Sequence, residues 1–217
     1  MKINFIDQNT GTDADANRYW PQPDINYIKP PLLEWDGVSV FTDELCFTDL
    51  PYKVKSKYKV AWAMESPVIK PHVYNEFNKL LDVFDKVYIC NPEFYNNNPK
   101  VGKLEFGACW IPESHCHIYP KTKLLSIVAS NKAYAPGHKF RHEIIREKLH
   151  PELELWGSGY RWFSDEPDGR VSPFKDYMYV IVVENCIYPG YYTDKIIDCF
   201  AAGCIPIYWG CPLMENR

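Results

Sequence analysis

The residues whose types and spacing could do chemistry lie between positions 180 and 195. Residues 180–183 form an uninterrupted apolar run, which predicts a parallel strand covered on both faces. A carboxylate and an amide, Glu184 and Asn185, follow that run directly. Because ligands of open α/β sheets bind at the carboxyl ends of the strands, this pair and the loop residue Tyr191 are candidate binding residues.

A helix predicted to start at Thr193 adds an anion site beside them. Thr193 can serve as its N-cap, and a helix N-terminus offers free amides and a positive dipole end to a phosphate. Lys195 adds a charge there, and Arg141, near the start of an earlier predicted helix, could bind a second phosphate oxygen. A carboxylate such as Asp194 is compatible with this anion site if it accepts hydrogen bonds from the hydroxyls of a ribose. A diphosphate beside a ribose indicates a nucleotide.

The elements that must position these groups alternate between strand and helix in both halves of the 217-residue chain, which predicts an α/β fold. The polar stretch at 115–123 suggests a boundary between domains 1–120 and 121–217. Two Rossmann-like halves facing a cleft are the simplest such architecture, and residues 8–35 are expected to form a long packed connection. The predicted strands are 2–7, 38–45, 58–64, 87–90, 124–129, 153–156, 180–183 and 204–209, and the predicted helices are 71–84, 140–149 and one beginning at 193.

Composition narrows the classes of partner. The formal net charge of −4 argues against a general binder of nucleic acid or anionic membranes, since those need broad basic surfaces. A phosphorylated ligand is not excluded, because it needs only a few donors. No apolar run approaches the roughly 20 residues of a membrane span, and the first residues lack the apolar region of a signal peptide. We therefore expect a soluble, cytoplasmic protein.

The eight cysteines are scattered without a Cys-x-x-Cys pair, and we expect them to be reduced. Cys109, His115, Cys116 and His117 match no standard zinc spacing, and adjacent residues of an extended chain point to opposite sides. No metal site is therefore predicted, and a divalent metal is not indicated as a cofactor.

Two further polar segments follow predicted strands, at Glu65-Ser66-Pro67 and at Ser130-Asn131. Together with three later motifs and an arginine, these segments form an ordered set that resembles the signature of the α-1,3/4-fucosyltransferase family, glycosyltransferase family 10. The arginine is at 141, and the later motifs are Glu184-Asn185, the Tyr-x-Thr-Asp-Lys run at 191–195 and the Ile-Pro-Ile-Tyr-Trp-Gly run at 205–210. That signature contains ESP, SN…R, ENS, Y-x-TEK and (I/V)P(I/V)Y-x-G in the same order. The combined spacing makes the resemblance specific.

The resemblance implies a GT-B fold that uses GDP-fucose as donor, inverts the fucose anomeric carbon, requires no cofactor and acts on an oligosaccharide or glycoconjugate, forming an α-1,3 or α-1,4 linkage. Glu65 would be the general base, Arg141 and Lys195 would hold the diphosphate, and Asp194 would bind the ribose in place of the usual Glu. The other donor-site residues it implies are Glu184, Asn185, Tyr191 and Thr193, with Ser130 and Asn131 as neighbours.

Departures from the signature keep other interpretations open. Asp194 is one methylene shorter than Glu, Cys186 stands in place of Ser, and the sequence ends seven residues after Gly210, so we expect the C-terminal half to be incomplete. A nucleotide- or glycan-binding module without turnover, or a sugar-nucleotide transferase with another donor, remain alternatives. Taken singly, Glu184 could be a strand-end residue tied to a backbone amide, and Lys195 an ordinary first-turn surface charge.

Overall fold

A computed structural model of the chain describes residues 1–8, 24–96, 98–106, 108–163 and 168–214. The chain forms two compact units, Met1–Phe106 and Gly107–Arg217. This division lies before the boundary after residue 120 that the sequence suggests. The reason is packing, because Ile111 and Tyr119 belong to a core cluster built around Val180 and Val182 of the second unit.

The first unit is built on a six-stranded parallel sheet in the order β2-β1-β3-β4-β5-β6. Apolar residues alternate between its faces, so that Phe41 packs with Leu80 on one side while Phe5 packs with Val40 on the other. The strands are β1 (Lys2–Ile6), β2 (Asn26–Ile28), β3 (Glu34–Thr42), β4 (Lys55–Ala63), β5 (Lys86–Ile89) and β6 (Val101–Lys103), and the helices are α1 (Leu50–Lys53), α2 (Pro71–Asn75), α3 (Phe77–Val83) and α4 (Pro92–Tyr95).

Three predictions for this unit need correction. The single helix predicted at 71–84 is two helices, because Glu76 leaves the helical conformation with φ −111° and ψ 21°. The strand predicted at 38–45 ends at Thr42, where a 3₁₀ turn, Asp43–Phe47, begins. The connection predicted at 8–35 contains β2 and the start of β3, and its residues 9–23 lie outside the described residues.

The second unit contains a four-stranded parallel sheet in the order β10-β9-β7-β8. The predicted apolar run lies in β9, and all four of its residues are buried, which confirms the prediction of a strand covered on both faces. The strands are β7 (Lys123–Val128), β8 (Leu153–Trp156), β9 (Tyr177–Val183) and β10 (Ile205–Trp209), and the helices are α5 (Pro136–Arg146) and α6 (Asp194–Ala201).

The two helices of this unit cover opposite faces of its sheet. Ile144 of α5 packs with Ile181, and Ile196 of α6 packs with Val182. Apolar Phe200 lies outside the buried face of α6, because its side chain is 57% exposed. Cys199, one residue earlier, is buried instead.

A glycine terminates helix α6. Gly203 follows it with a φ of 67°, and a Cβ there would lie 2.9 Å from the Cα of Ile118. The position therefore favours glycine for both its backbone conformation and its close packing.

The predicted α/β fold with two parallel sheets is confirmed. In the second sheet, β8 lies on one side of β7 and β9 on the other, so the strand order reverses at β7. Such a switch point is where open α/β sheets bind their ligands. Among the described residues, no helix is long and apolar enough to cross a membrane.

Candidate functional site

A fully buried carboxylate lies at the carboxyl end of β9, beside the switch point. Glu184 is 0% exposed and accepts hydrogen bonds from the Thr193 amide at 2.8 Å, the Thr193 hydroxyl at 2.9 Å and Lys195 Nζ at 3.1 Å. A buried charge needs such partners. The interpretation of Glu184 as a residue tied to a backbone amide is therefore correct, and the same carboxylate also binds the candidate cation.

Thr193 occupies the N-cap position of α6, but its hydroxyl does not cap the helix backbone. That hydroxyl donates to Glu184 and accepts a hydrogen bond from Lys195 Nζ at 2.7 Å. The first-turn amides of α6 are thus not satisfied by the Thr193 side chain. They remain suited to bind an anion, as the sequence predicts.

Lys195 is held in place but stays accessible. Its side chain is 30% exposed. Burial lowers its pKa, but the carboxylates of Glu184 and Asp194 outweigh that effect and leave the pKa above its ordinary value. Lys195 therefore carries a positive charge at neutral pH beside the half-buried Asp194.

Arg141 of α5 lies at the same strand end and is only 6% exposed. Its Nε and Nη2 donate to the Val183 carbonyl at 3.2 and 2.8 Å, and Nη2 also reaches Asn185 Oδ1 at 3.4 Å. Burial lowers its pKa and Glu184 opposes that shift, but a guanidinium remains charged in proteins. Its Nη1 group makes no hydrogen bond within the described part of the chain and is available to a ligand.

Asn185 joins α5 to the loop before α6. Its Nδ2 donates to Tyr191 Oη at 3.1 Å, and its carbonyl accepts the Gly137 amide at 2.8 Å. A Cβ at Gly137 would lie 1.7 Å from the Glu184 carbonyl oxygen. Only glycine therefore lets α5 approach the strand end so closely. The sequence prediction missed this residue, although a glycine in the first turn of a helix is a signal of close approach.

His138 is a further site residue that the sequence prediction missed. It is 4% exposed, and its Nδ1 accepts the Ala135 amide at 3.3 Å. Burial lowers its pKa to about 4, and the positive charges of Arg141, Lys132 and Lys195 act in the same direction. His138 is therefore neutral at pH 7, so it adds no third charge beside the two cations.

A partly enclosed cavity lies on the α6 side of the sheet, lined by Asp194, Lys195, Arg170, Asp198 and apolar residues of β9. Asp198 is 4% exposed and accepts the Trp110 amide at 2.7 Å. Burial raises its pKa to about 6, and Asp194 adds to that shift. The sequence prediction missed Asp198 because its contact lies 88 residues away in the chain.

The remaining predicted residues lie outside this hydrogen-bonded group. Ser130 and Asn131 follow β7, and Asn131 Oδ1 accepts a hydrogen bond from Ser158 at 3.2 Å. Glu65 belongs to the first unit and follows β4. Within the described ranges, no group of three or more His, Cys, Asp or Glu residues is arranged to hold a metal ion.

Comparison with known proteins finds a family model that matches this region. Residues 118–216 match the model of the C-terminal domain of glycosyltransferase family 10, the fucosyltransferases. A segment of 43 residues is 42% identical to R654, a provisional fucosyltransferase of Acanthamoeba polyphaga mimivirus, and covers 20% of this chain and 7% of that protein. The family resemblance inferred from the sequence is confirmed.

Solved structures show the same fold. An α1,3-fucosyltransferase with GDP is similar at a TM-score of 0.61 and 18% identity, over 99% of this chain and 69% of that one. An α1,3-fucosyltransferase structure with GDP-fucose has a TM-score of 0.55 at 18% identity, over 99% of this chain and 70% of that one. At 18% identity, the likeness to these structures supports the fold alone. The matched segment spans only 7% of the mimivirus protein.

The depressed pKa of His138 predicts an acid-sensitive contribution to stability. The unfolded chain binds a proton near pH 6.5 and the folded chain only near pH 4, so the contribution is present above about pH 6.5 and is lost as pH falls to about 4. His138→Asn keeps an acceptor for the Ala135 amide but does not titrate. The free energy of unfolding of the wild type should fall as the pH is lowered across this range. In His138→Asn we expect that fall to be smaller by about 2–3 kcal/mol, as measured by urea titration at both ends of the range.

The exposed His117 provides the matched control, because His117→Asn should leave the acid-induced loss of stability unchanged. Equal losses in wild type and His138→Asn would contradict the neutral, buried state of His138.

Proposed function

Residues 118–216 match the C-terminal domain of glycosyltransferase family 10, and from this premise we propose that the chain transfers fucose from GDP-fucose to a hydroxyl of a saccharide. The observation that carries the proposal is the meeting of Arg141, Lys195 and the α6 amides at one strand end. This cluster lies within the residues that match the family, and it has the charges and donors that a nucleoside diphosphate requires.

The diphosphate is proposed to bind at the N-terminus of α6. Arg141 and Lys195 each keep at least one N–H donor free of hydrogen bonds to the described residues, and the first-turn amides lie beside Lys195. Charge that gathers on the departing diphosphate would be stabilised by these preplaced donors. The arrangement supplies this stabilisation from the chain's own groups.

The other donor-site residues receive roles from their positions. Asp194 lines the cavity beside α6 and is proposed to accept hydrogen bonds from the ribose. Asn185 and Tyr191, which bind each other, are proposed to face the fucose. Glu184 acts through Thr193 and Lys195, which its carboxylate holds in place. Ser130 and Asn131, at the end of the neighbouring strand, are proposed to border the donor.

The reaction is proposed to be a single displacement with inversion. The acceptor oxygen forms a bond to the anomeric carbon, and the bond from that carbon to the β-phosphate oxygen breaks, its electron pair leaving with GDP. Glu65 takes the proton of the acceptor hydroxyl as general base. The linkage formed is α-1,3 or α-1,4.

Calorimetry and a GDP-release assay test this proposal together. We expect GDP and GDP-fucose to bind in preference to UDP- and dTDP-sugars, and GDP to be released when a panel of acceptor oligosaccharides is added. Binding of neither ligand by the folded protein would refute the proposal. GDP binding without release would favour a non-catalytic binding module, and a preference for UDP would favour a different sugar-nucleotide transferase.

Lys195→Ala should weaken GDP binding because it removes a charge-assisted contact to the diphosphate. The expected loss is about 1.5–3 kcal/mol, or roughly 10- to 150-fold in Kd, measured by calorimetry. Lys139→Ala, at an exposed position of α5, is the matched control and should bind GDP as wild type does. An unchanged Kd in Lys195→Ala would rule out its contact with the diphosphate.

Glu65→Gln should lower kcat by about 10²- to 10⁴-fold, the range for loss of a general base. The Kd for GDP should stay the same, because the proposed donor site lies in the second unit. Steady-state kinetics and calorimetry measure the two effects separately. Glu93→Gln, at an exposed position of α4, should change neither quantity, and a parallel loss of GDP affinity in Glu65→Gln would contradict its role as base.

A further inference from the structure

We propose that Asp43 and Tyr74 are positioning residues for Glu65, which they hold by its backbone from both sides. The inference deepens the proposed function and rests on it, because the need to position Glu65 follows from its role as base. Asp43 belongs to none of the motifs that identify the family here, and the sequence predicted it to lie inside a strand.

The register of the sheet brings Asp43 to the segment that carries Glu65. Strands β3 and β4 are parallel neighbours, with Thr42 opposite Trp62, so the residues after each strand meet at one edge of the sheet. Asp43 Oδ1 accepts the Met64 amide at 2.8 Å and the Glu65 amide at 3.1 Å. One carboxylate oxygen therefore fixes two successive amides at the end of β4.

The conformation of Asp43 suits this contact. It is 9% exposed and has a φ of 40°, in the left-handed region that Asp and Asn tolerate better than other non-glycine residues. This turn lets the chain leave β3 while the side chain points back to β4. Asp43 thus bonds to the neighbouring loop instead of capping its own 3₁₀ turn, whose N-cap position is Thr42.

Tyr74 fixes the other side of the same residue. Its hydroxyl, on α2, donates to the Glu65 carbonyl at 2.8 Å. The following residue, Ser66, is held in a turn because its carbonyl accepts the amides of Ile69 and Lys70 at 3.0 and 2.9 Å. Both peptide groups of Glu65 are therefore anchored, which restricts where its carboxylate can lie.

The charges around Asp43 add a second effect. Burial raises its pKa to about 7, and the carboxylate of Glu65 adds to the shift, while Lys70 and the two amides oppose it. Cys46 faces Asp43 from the same turn, and Asp7, after β1, is bonded to Thr42. Above pH 7, Asp43 therefore places a second negative charge beside Glu65.

The positioning contact does not depend on that charge, because the protonated form of Asp43 still accepts the two amides through its carbonyl oxygen. Substitution can therefore separate the charge of Asp43 from the position that it gives to the base.

Two substitutions at Asp43 separate these effects. Asp43→Asn keeps the acceptor oxygen and loses the charge, so we expect kcat and the Kd for GDP to stay near their wild-type values. Asp43→Ala also loses the acceptor, so we expect kcat to fall at least about tenfold at every pH. Tyr74→Phe should lower kcat several-fold in the same way. Asp49→Asn, whose side chain is 84% exposed, is the matched control.

Hydrogen exchange of the Met64 and Glu65 amides gives a readout that does not need activity. We expect faster exchange in Asp43→Ala and wild-type protection in Asp43→Asn. If wild type transfers no sugar, the proposed function fails while the exchange data still decide the positioning. Equal exchange in wild type and Asp43→Ala, or a fall of kcat in Asp43→Asn as large as that in Asp43→Ala, would overturn the inference. If Asp43→Ala does not fold, the kcat of Tyr74→Phe decides, and a wild-type value would overturn the inference.

Discussion

The second unit depends on the pairing of one buried carboxylate. Glu184 is fully buried, and an unpaired charge in that place would destabilise the fold by several kcal/mol. Its partners are the Thr193 amide and hydroxyl and Lys195 Nζ, so the end of β9 and the start of α6 have one fixed relation. Gly137 lets α5 reach the same strand end, because any Cβ there would clash with the Glu184 carbonyl. The N-terminal turns of two helices therefore meet at Glu184.

The same pairing controls the charge of the site. Arg141 and Lys195 are balanced by Glu184 and Asp194, and His138 is kept neutral by its burial and by those cations. The cluster is therefore close to neutral before a ligand binds. A bound diphosphate would add its negative charge beside the α6 amides and the two cations. A third cation in this cluster would need a further negatively charged or hydrogen-bonding partner. The site therefore favours the neutral form of His138 over the protonated form.

How far the sequence predicted this arrangement depends on the range of the interactions. The apolar run of β9 and the start of α6 are local signals, and both predictions are confirmed. The exposure of Phe200 cannot be predicted in this way, since hydrophobicity alone does not indicate which side of a helix meets the sheet. Asp43 and Asp198 were missed because each bonds to amides far along the chain, 22 and 88 residues away. Such contacts follow from strand register and packing, which periodicity does not contain.

Both units use a carboxylate after a strand to fix the next functional segment. Glu184 binds the amide of Thr193, and Asp43 binds the amide of Glu65. The difference lies in the nearest charge, because Glu184 has Lys195 as a direct partner while Asp43 faces a second carboxylate, with Lys70 as the opposing charge. The first arrangement keeps its charges paired at neutral pH. The second has a pKa of about 7 at Asp43, so its charge changes within the range where the proposed base must work. The same backbone contact thus comes with a permanently paired charge in one unit and a titratable charge in the other.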